Sequence, residues 1–156
     1  MFAAVARVSR SAVVAGLALT MLASGGASLL GGDHVEAAKK VTAPNIAIQS
    51  ITLAPNPDPG HKTVVVLVAN VGTRNAAGFS IGMVAERADH TKRVEEFSQP
   101  LSIAKGTSVE VEFRLGCNWI NGGTVTARTN PSPVPGELPT KTANNIETQS
   151  FGNECA

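Results

Sequence analysis

The sequence predicts an all-β protein built as a β-sandwich. Apolar and polar residues alternate along two successive segments, 109–115 and 124–128. Such alternation gives a strand one buried face and one solvated face. Further short segments of this kind recur along the chain between turns rich in Gly and Pro, and no stretch has a convincing helical periodicity.

Size and composition favour one globular domain and exclude some classes of partner. The chain has 156 residues, of which 43% are hydrophobic and 16% charged, and this balance is typical of a folded domain. A formal charge of +1 provides no general attraction to nucleic acid or anionic lipid. Five Phe, one Trp and no Tyr are few for a surface that stacks on bases. We therefore expect no nucleic-acid partner.

The N-terminal segment reads as an export signal. Arg7 and Arg10 precede an apolar run at 11–30, and Ala37-Ala38 supplies small residues for cleavage. We expect residues 1–38 to be a cleaved signal peptide and 39–43 a short lead-in to a single domain, 44–156. The protein is then secreted or held at the cell surface, without stable membrane insertion after cleavage. The alternative is an uncleaved anchor, since the run is just long enough to span a bilayer.

The first half of the domain contains three predicted strands. Ile46 and Ile48 alternate, and Ile51 and Leu53 continue in the opposite parity, which indicates a bulge near Gln49-Ser50. Three prolines at 55–59 then force a loop, and 62–71 forms the second strand. The third strand has an inward row of alternating apolar residues, namely Phe79, Ile81, Met83 and Ala85.

The second half of the domain also consists of predicted strands separated by turns. A polar turn at 88–92 precedes a short edge strand at 94–97, and Leu101 and Ile103 lead into a turn at 104–106. The two alternating segments then form central strands. A Pro-rich connection at 129–139 precedes a last strand that runs to about Phe151. Together these elements predict an immunoglobulin-like Greek-key sandwich of about seven strands.

Several segments, taken in order, resemble the CARDB family, a family of bacterial cell-adhesion-related domains. The segments are 44–48, 66–72, 76–81, 101–109, 123–127 and the pair Asn144-Asn145. The resemblance covers residues 44 to 151. It implies an immunoglobulin-like fold and an extracellular interaction or spacer role, with no family-wide catalytic residue. Where the family has a short acidic stretch before its paired asparagines, this chain has a longer Pro-rich loop with Glu137 alone. The resemblance therefore does not extend to a cation site there.

The two cysteines, Cys117 and Cys155, predict a disulfide in an exported chain. The predicted topology brings both to the same pole of the sandwich. The alternative is a free or intermolecular thiol at Cys155, next to the C-terminus.

No cofactor, metal site or catalytic residue is expected. All three His precede Cys117, whereas copper sites in small sandwiches require a His soon after the Cys. No nucleophile–base motif is present, so we expect no enzyme activity, although a small hydrolase stays open as a third function class. Asn56, Asp58 and Glu137 could supply oxygens to a weak Ca²⁺ site, but they lack the ligand spacing of an EF-hand loop.

The candidate interaction face consists of Val65, Leu67, Ala69 and Trp119. Val64, Val66 and Val68 should face inward, which leaves Val65, Leu67 and Ala69 on the outer face of the strand. That row is either covered or a docking face for another protein or a second copy. Trp119 is either a core plug or an exposed anchor. The Pro-rich loop is either a rigid connection or a recognition loop.

The expected function is thus that of an exported, non-catalytic β-sandwich module for protein–protein or cell-surface interaction. Its partner is an unknown protein or surface polymer. The alternative is a carbohydrate- or calcium-assisted envelope-binding module.

Overall fold

The computed structural model describes residues 41–155, and the predicted signal peptide lies outside them. Eight strands occur in the described residues, in chain order: β1 (Ile46–Pro55), β2 (His61–Asn70), β3 (Ala76–Glu86), β4 (Arg93–Phe97), β5 (Leu101–Ile103), β6 (Ser108–Gly116), β7 (Thr124–Asn130) and β8 (Ile146–Ser150). A short helix α1 (Cys117–Ile120) joins β6 to β7, and a 3₁₀-helical segment (Pro139–Asn144) precedes β8.

The strands form two antiparallel sheets packed face to face, so the predicted all-β sandwich is confirmed. The small sheet has the order β1-β2-β6, and the large sheet has the order β4-β3-β7-β8, with β5 also paired to β3. The prediction of two central strands is therefore correct for β7 but wrong for β6, which lies at the edge of the other sheet. The Greek-key assignment of the immunoglobulin class remains a prediction.

The predicted inward rows supply the core. Val64, Val66 and Val68 of β2 are fully buried, and the inward row of β3 is at most 2% exposed. Phe113 of β6 and Val125 of β7 complete the layer between the sheets. Burying a side chain of this size stabilises the fold by about 1.5–3 kcal/mol. Alternation therefore identified the core face of each of these strands.

The bulge in β1 lies where the change of parity predicted it. The pairing of β1 with β2 shifts between Ile48 and Ser50, so Ile46, Ile48 and Ile51 all point into the core. Without the extra residue, Ile51 would lie on the solvent side.

The predicted edge strand at 94–97 is β4, whereas β5 lies where only a lead-in to a turn was predicted. β4 and β5 pair with successive parts of β3 and are separated by residues 98–100. Ser98 N donates to Ile81 O, and Ile81 N donates to Ser98 Oγ, so a hydroxyl takes the place of a ladder carbonyl. Pro100 has no N–H to continue the ladder, and the pairing resumes only at Leu101.

Two helical segments were not predicted. α1 carries Ile120, which is fully buried and caps one end of the core. The 3₁₀-helical segment lies within the second half of the β7–β8 connection, where only a loop followed by a strand was predicted. Both are too short to produce a helical period in the sequence.

Candidate interaction surfaces

Three of the four candidate interaction residues share one face. Val65, Leu67 and Ala69 project from the outer side of β2, the central strand of the small sheet, because the buried row of β2 has the opposite parity. Val65 and Leu67 are partly buried, whereas Ala69 is only 6% exposed. The single methyl group of Ala69 is flanked by its paired neighbours Ala47 and Ser108. The accessible part of this row is therefore Val65 and Leu67.

The two borders of this row differ in chemistry. On the β1 side, Val65 and Leu67 pair with Thr52 and Ser50. On the β6 side, they pair with Glu112 and Glu110, so two carboxylates run along one border of the apolar row. We call this surface the β2 face: Val65 and Leu67 with Ser50, Thr52, Glu110 and Glu112. The next outward residue of β6, Arg114, forms an ion pair with Asp58 at 2.9 Å.

Trp119 does not belong to the β2 face. It lies on α1, at the end of the sandwich, and packs partly buried against the core. The predicted disulfide lies at the same end: Cys117, the first residue of α1, is bonded to Cys155, with a Cα–Cα distance of 5.8 Å. Cys155 N also donates to Asn121 Oδ1, which fixes the C-terminal segment against α1. We call this end of the molecule the disulfide pole.

The three oxygen donors considered for Ca²⁺ lie at opposite poles. Asn56 and Asp58 are in the β1–β2 loop at the disulfide pole, where Asn56 Oδ1 accepts from Asp58 N. Glu137 lies in the β7–β8 connection at the other pole, where its carboxylate contacts the start of β1. These residues therefore cannot form one site. In the described part of the chain, no group of three or more His, Cys, Asp or Glu side chains is placed to hold a metal ion.

Glu137 instead fastens the Pro-rich loop. Its carboxylate is 6% exposed and accepts three hydrogen bonds: from Ile46 N at 2.8 Å, from Val134 N at 3.0 Å, and from Asn145 Nδ2 at 2.6 Å. Hydrogen bonds to a charged acceptor are stronger than neutral ones. The loop is thus a fixed part of the fold over this stretch.

The loop also forms one wall of an open polar groove with a volume of about 340 Å³. The lining residues come from the end of β7, the loop and the start of β8: Arg128, Thr129, Asn130, Ser132, Thr142, Asn145 and Ile146. Most of them offer hydroxyl or amide groups. Thr129 Oγ1 is buried and has no hydrogen-bond partner among the described residues. Sequence reasoning named the loop but not this groove, because its walls are far apart in the chain.

The outer face of the large sheet carries an exposed aromatic ring. Phe97, at 47% exposure, pairs with Gly82, and a Cβ at Gly82 would lie 2.9 Å from its ring. Arg128 pairs with Gly82 from the other side, and its guanidinium bonds Glu95 at 2.5 Å. The ring thus occupies the space that a side chain at Gly82 would need.

One carboxyl group on the same edge strand has a shifted pKa. Glu96 pairs with the fully buried Met83 and lies on the inward side of β4. Burial raises the pKa of Glu96 because desolvation disfavours the ionised form. Glu95, one residue earlier, faces outward and forms ion pairs with Arg128 and with Arg93. The two adjacent carboxylates therefore do not act as a pair.

No family model matches the chain, and no curated protein is significantly similar to it. Across residues 41–155, no helix is long and apolar enough to cross a membrane.

Proposed function

We propose that the chain is an exported, non-catalytic β-sandwich module that binds another protein through the β2 face. The observation that carries the proposal is the chemistry of that face: an apolar row on a central strand, with two carboxylates along one border. A sheet face turned to solvent normally carries polar residues. The partner that fits has an apolar strip with Lys or Arg residues along one side.

Export is supported by the disulfide, since such bonds persist in oxidising compartments. The proposal includes an immunoglobulin-like Greek key and the resemblance to the CARDB family. Support for an immunoglobulin-like Greek key comes from the strand order, in which β6 joins β1 and β2 while β7 and β8 join β3. Support for the CARDB resemblance comes from the segments that carry it and from the paired asparagines, since Asn145 donates to the loop carboxylate and the side-chain amides of Asn144 and Asn45 contact each other.

The test is a pull-down from the native cell, with the exported, oxidised protein as bait against solubilised surface proteins and insoluble wall polymer. We expect a specific protein to be retained. Leu67→Asp should weaken its binding at least about tenfold, as a charge does in the centre of an apolar contact. Glu110→Lys should weaken binding less, and its effect should diminish at high salt because the border charge is solvated.

A matched control is available on the other sheet. Val84 is partly buried on the outer side of β3, the central strand of the large sheet, so Val84→Asp makes a similar change on the opposite surface. Retention that survives Val84→Asp but not Leu67→Asp, with equal unfolding midpoints for the two variants, supports the β2 face. If both variants lose the partner equally, or if both retain it, the proposed β2 face is contradicted.

The polar groove favours a second candidate function, namely binding of a cell-envelope carbohydrate. Its hydroxyl and amide groups can bond a polyhydroxylated ligand, and the apolar part of its lining can pack against a sugar ring. Retention on wall polymer that is lost in Ser132→Phe, where the ring fills the groove, and unchanged in Leu67→Asp would favour this function. Retention on polymer that is indifferent to Ser132→Phe would exclude the groove.

A further inference from the structure

The free edge of β8 is the least protected strand edge of the sandwich. All five of its residues, Ile146–Ser150, are exposed, and Ile146 is 52% exposed. Only one of them, Glu147, is charged, and the strand contains neither proline nor bulge. Native proteins usually protect such edges with charges, prolines or bulges, because the unpaired backbone groups can bind another strand.

The other edges of the two sheets carry these protections. β4 has Arg93, Glu95 and Glu96 among its five residues, and Pro100 interrupts the line that it shares with β5. β6 has alternating charges, and β1 is bulged between Ile48 and Ser50. The edge of β8 is therefore the one best suited to pair with another strand.

The hydrogen bonds at its two ends establish which backbone groups of β8 face away from β7. Thr129 N donates to Asn145 O, and Phe151 N donates to Gly123 O, both at 3.0 Å. Because hydrogen-bonded pairs recur at every second residue of an antiparallel ladder, residues 147 and 149 also bond to β7. The N–H and C=O groups of Ile146, Thr148 and Ser150 therefore point away from the sheet. Gln149 Nε2 donates to Ser150 O, a local bond that strand pairing would replace.

We propose that this edge pairs antiparallel with β8 of a second copy of the chain, about a two-fold axis through Thr148, so that the two large sheets become one continuous sheet. Thr148 then faces Thr148 of the second copy in a hydrogen-bonded pair, and Ile146 faces Ser150 of the second copy. Glu147 lies opposite Gln149 of the second copy. The single charged residue, Glu147, thus lies opposite an amide donor and not opposite Glu147 of the second copy. In this register all five residues of β8 are paired.

A second copy fits this edge because the strand is complementary to itself in this one register. The interface is one added strand on each side, small by the standard of permanent dimers, so the dimer should be weak and dependent on concentration. It uses a different surface from the β2 face, so it neither requires nor excludes the proposed partner.

The test uses sedimentation equilibrium. The full chain is expressed in an exporting bacterial host, and the folded product is purified with its disulfide formed. We expect the average mass to rise from monomer toward dimer as the concentration approaches about 1 mM, the range of a weak interface. Thr148→Lys and Thr148→Glu, each alone, place like charges across the two-fold axis, and each should raise the dimer Kd at least about fivefold.

Mixing these two variants provides the decisive readout. If the axis passes through Thr148, the mixture places opposite charges face to face and should dimerise more tightly than either variant alone. Ser102→Lys is the matched control, since Ser102 is exposed on β5 at the opposite edge of the same sheet and should leave the Kd unchanged. A wild-type protein that stays monomeric at every concentration overturns the proposal. So does a dimer that is insensitive to charge at position 148, or a mixture that fails to recover. If one variant does not fold, the other still tests the effect of like charges.

Discussion

At the scale of single residues, two buried polar side chains, Asn70 and Glu137, form several hydrogen bonds that connect segments distant in the chain. Asn70 is completely buried, and its side chain donates to Arg74 O and Ile103 O while accepting from Asn45 N and Gly72 N. Glu137 has the same function on the other side of β1. A buried polar group stabilises a fold only when its bonds are satisfied, because its desolvation otherwise costs more than the bond contributes.

Glu137→Gln should lower the free energy of unfolding by about 1–3 kcal/mol. Glutamine has nearly the same shape as glutamate, but its NH₂ group replaces one carboxylate oxygen. That NH₂ group must then face at least one of the three N–H donors that now bond to the carboxylate. Urea denaturation measures the change, with Glu147→Gln as the control. Glu147 is exposed on β8, so its replacement should change the free energy by less than about 0.5 kcal/mol. Equal effects of the two substitutions would show that the three hydrogen bonds do not stabilise the loop.

The contribution of Glu96 to folding stability should depend on pH in the opposite direction to that of most carboxylates, whose folded-state pKa is lowered. Because burial raises its folded-state pKa above the unfolded value, the native state binds the proton more strongly than the unfolded state. Its contribution to stability therefore falls as pH rises from the ordinary Glu range, about 4.3, through the folded-state pKa.

Glu96→Gln should accordingly raise the thermal unfolding midpoint at neutral pH, and the gain should diminish below pH about 4, where the carboxyl is protonated in both states. The increase should be small, since the side chain is only partly buried. Thermal scans of wild type and variant across this pH range provide the measurement. Glu95→Gln is the control, and it should not raise the midpoint because it removes the ion pairs with Arg93 and Arg128. A gain from Glu96→Gln that is larger in acid than at neutral pH would contradict this assignment.

At the scale of elements, close backbone approaches determine how α1 joins the strands. Gly123 follows α1 and precedes β7, and its N–H donates to Ile120 O while its C=O accepts from Phe151 N. A Cβ at this position would lie 2.7 Å from Glu86 O and still closer to Trp119 O. Both contacts are with backbone atoms, which cannot rotate away as a side chain can. Gly123 is therefore required for α1 to pack against the ends of β3 and β7.

Gly123→Ala should destabilise the protein by more than about 2 kcal/mol through overpacking. Gly152→Ala is the matched control, because a Cβ there meets nothing within 4 Å, and it should change stability by less than about 0.5 kcal/mol. Chemical denaturation of both variants provides the comparison. A Gly123→Ala protein as stable as the control would mean that α1 can shift without loss.

At the scale of the whole molecule, the disulfide joins the C-terminal segment to α1 at one end of the sandwich. The bond between Cys117 and Cys155 spans a sequence separation of 38 residues, which includes β7, the Pro-rich loop and β8. Closing a loop of this length restricts the unfolded chain and stabilises the fold by about 4 kcal/mol in the loop-entropy model. β8 depends most on this closure, since all its residues are exposed.

The double substitution Cys117→Ser and Cys155→Ser should therefore lower the free energy of unfolding by about 4 kcal/mol, and reductant should have a similar effect on the wild type. Urea denaturation with and without reductant measures both changes. The native oxidised protein should not react with a thiol reagent, since the described residues contain no free cysteine. Stoichiometric labelling of that protein would contradict the bond.

The sequence by itself determined every strand of the described residues except β5, together with the buried faces of the central strands, the bulge in β1 and the pairing of the cysteines. These features follow from local rules: alternation assigns each side chain to one face, and two cysteines in a chain with a predicted export signal favour a bond with each other. The tertiary structure alone decided which distant groups meet. Glu137 meets Ile46 across 91 residues, Phe97 occupies the space above Gly82, and β8 lies at an open edge. The alternating pattern predicts which face of the sheet a side chain occupies, but not which residues it contacts. Those neighbours depend on how the sheets pack around the whole core.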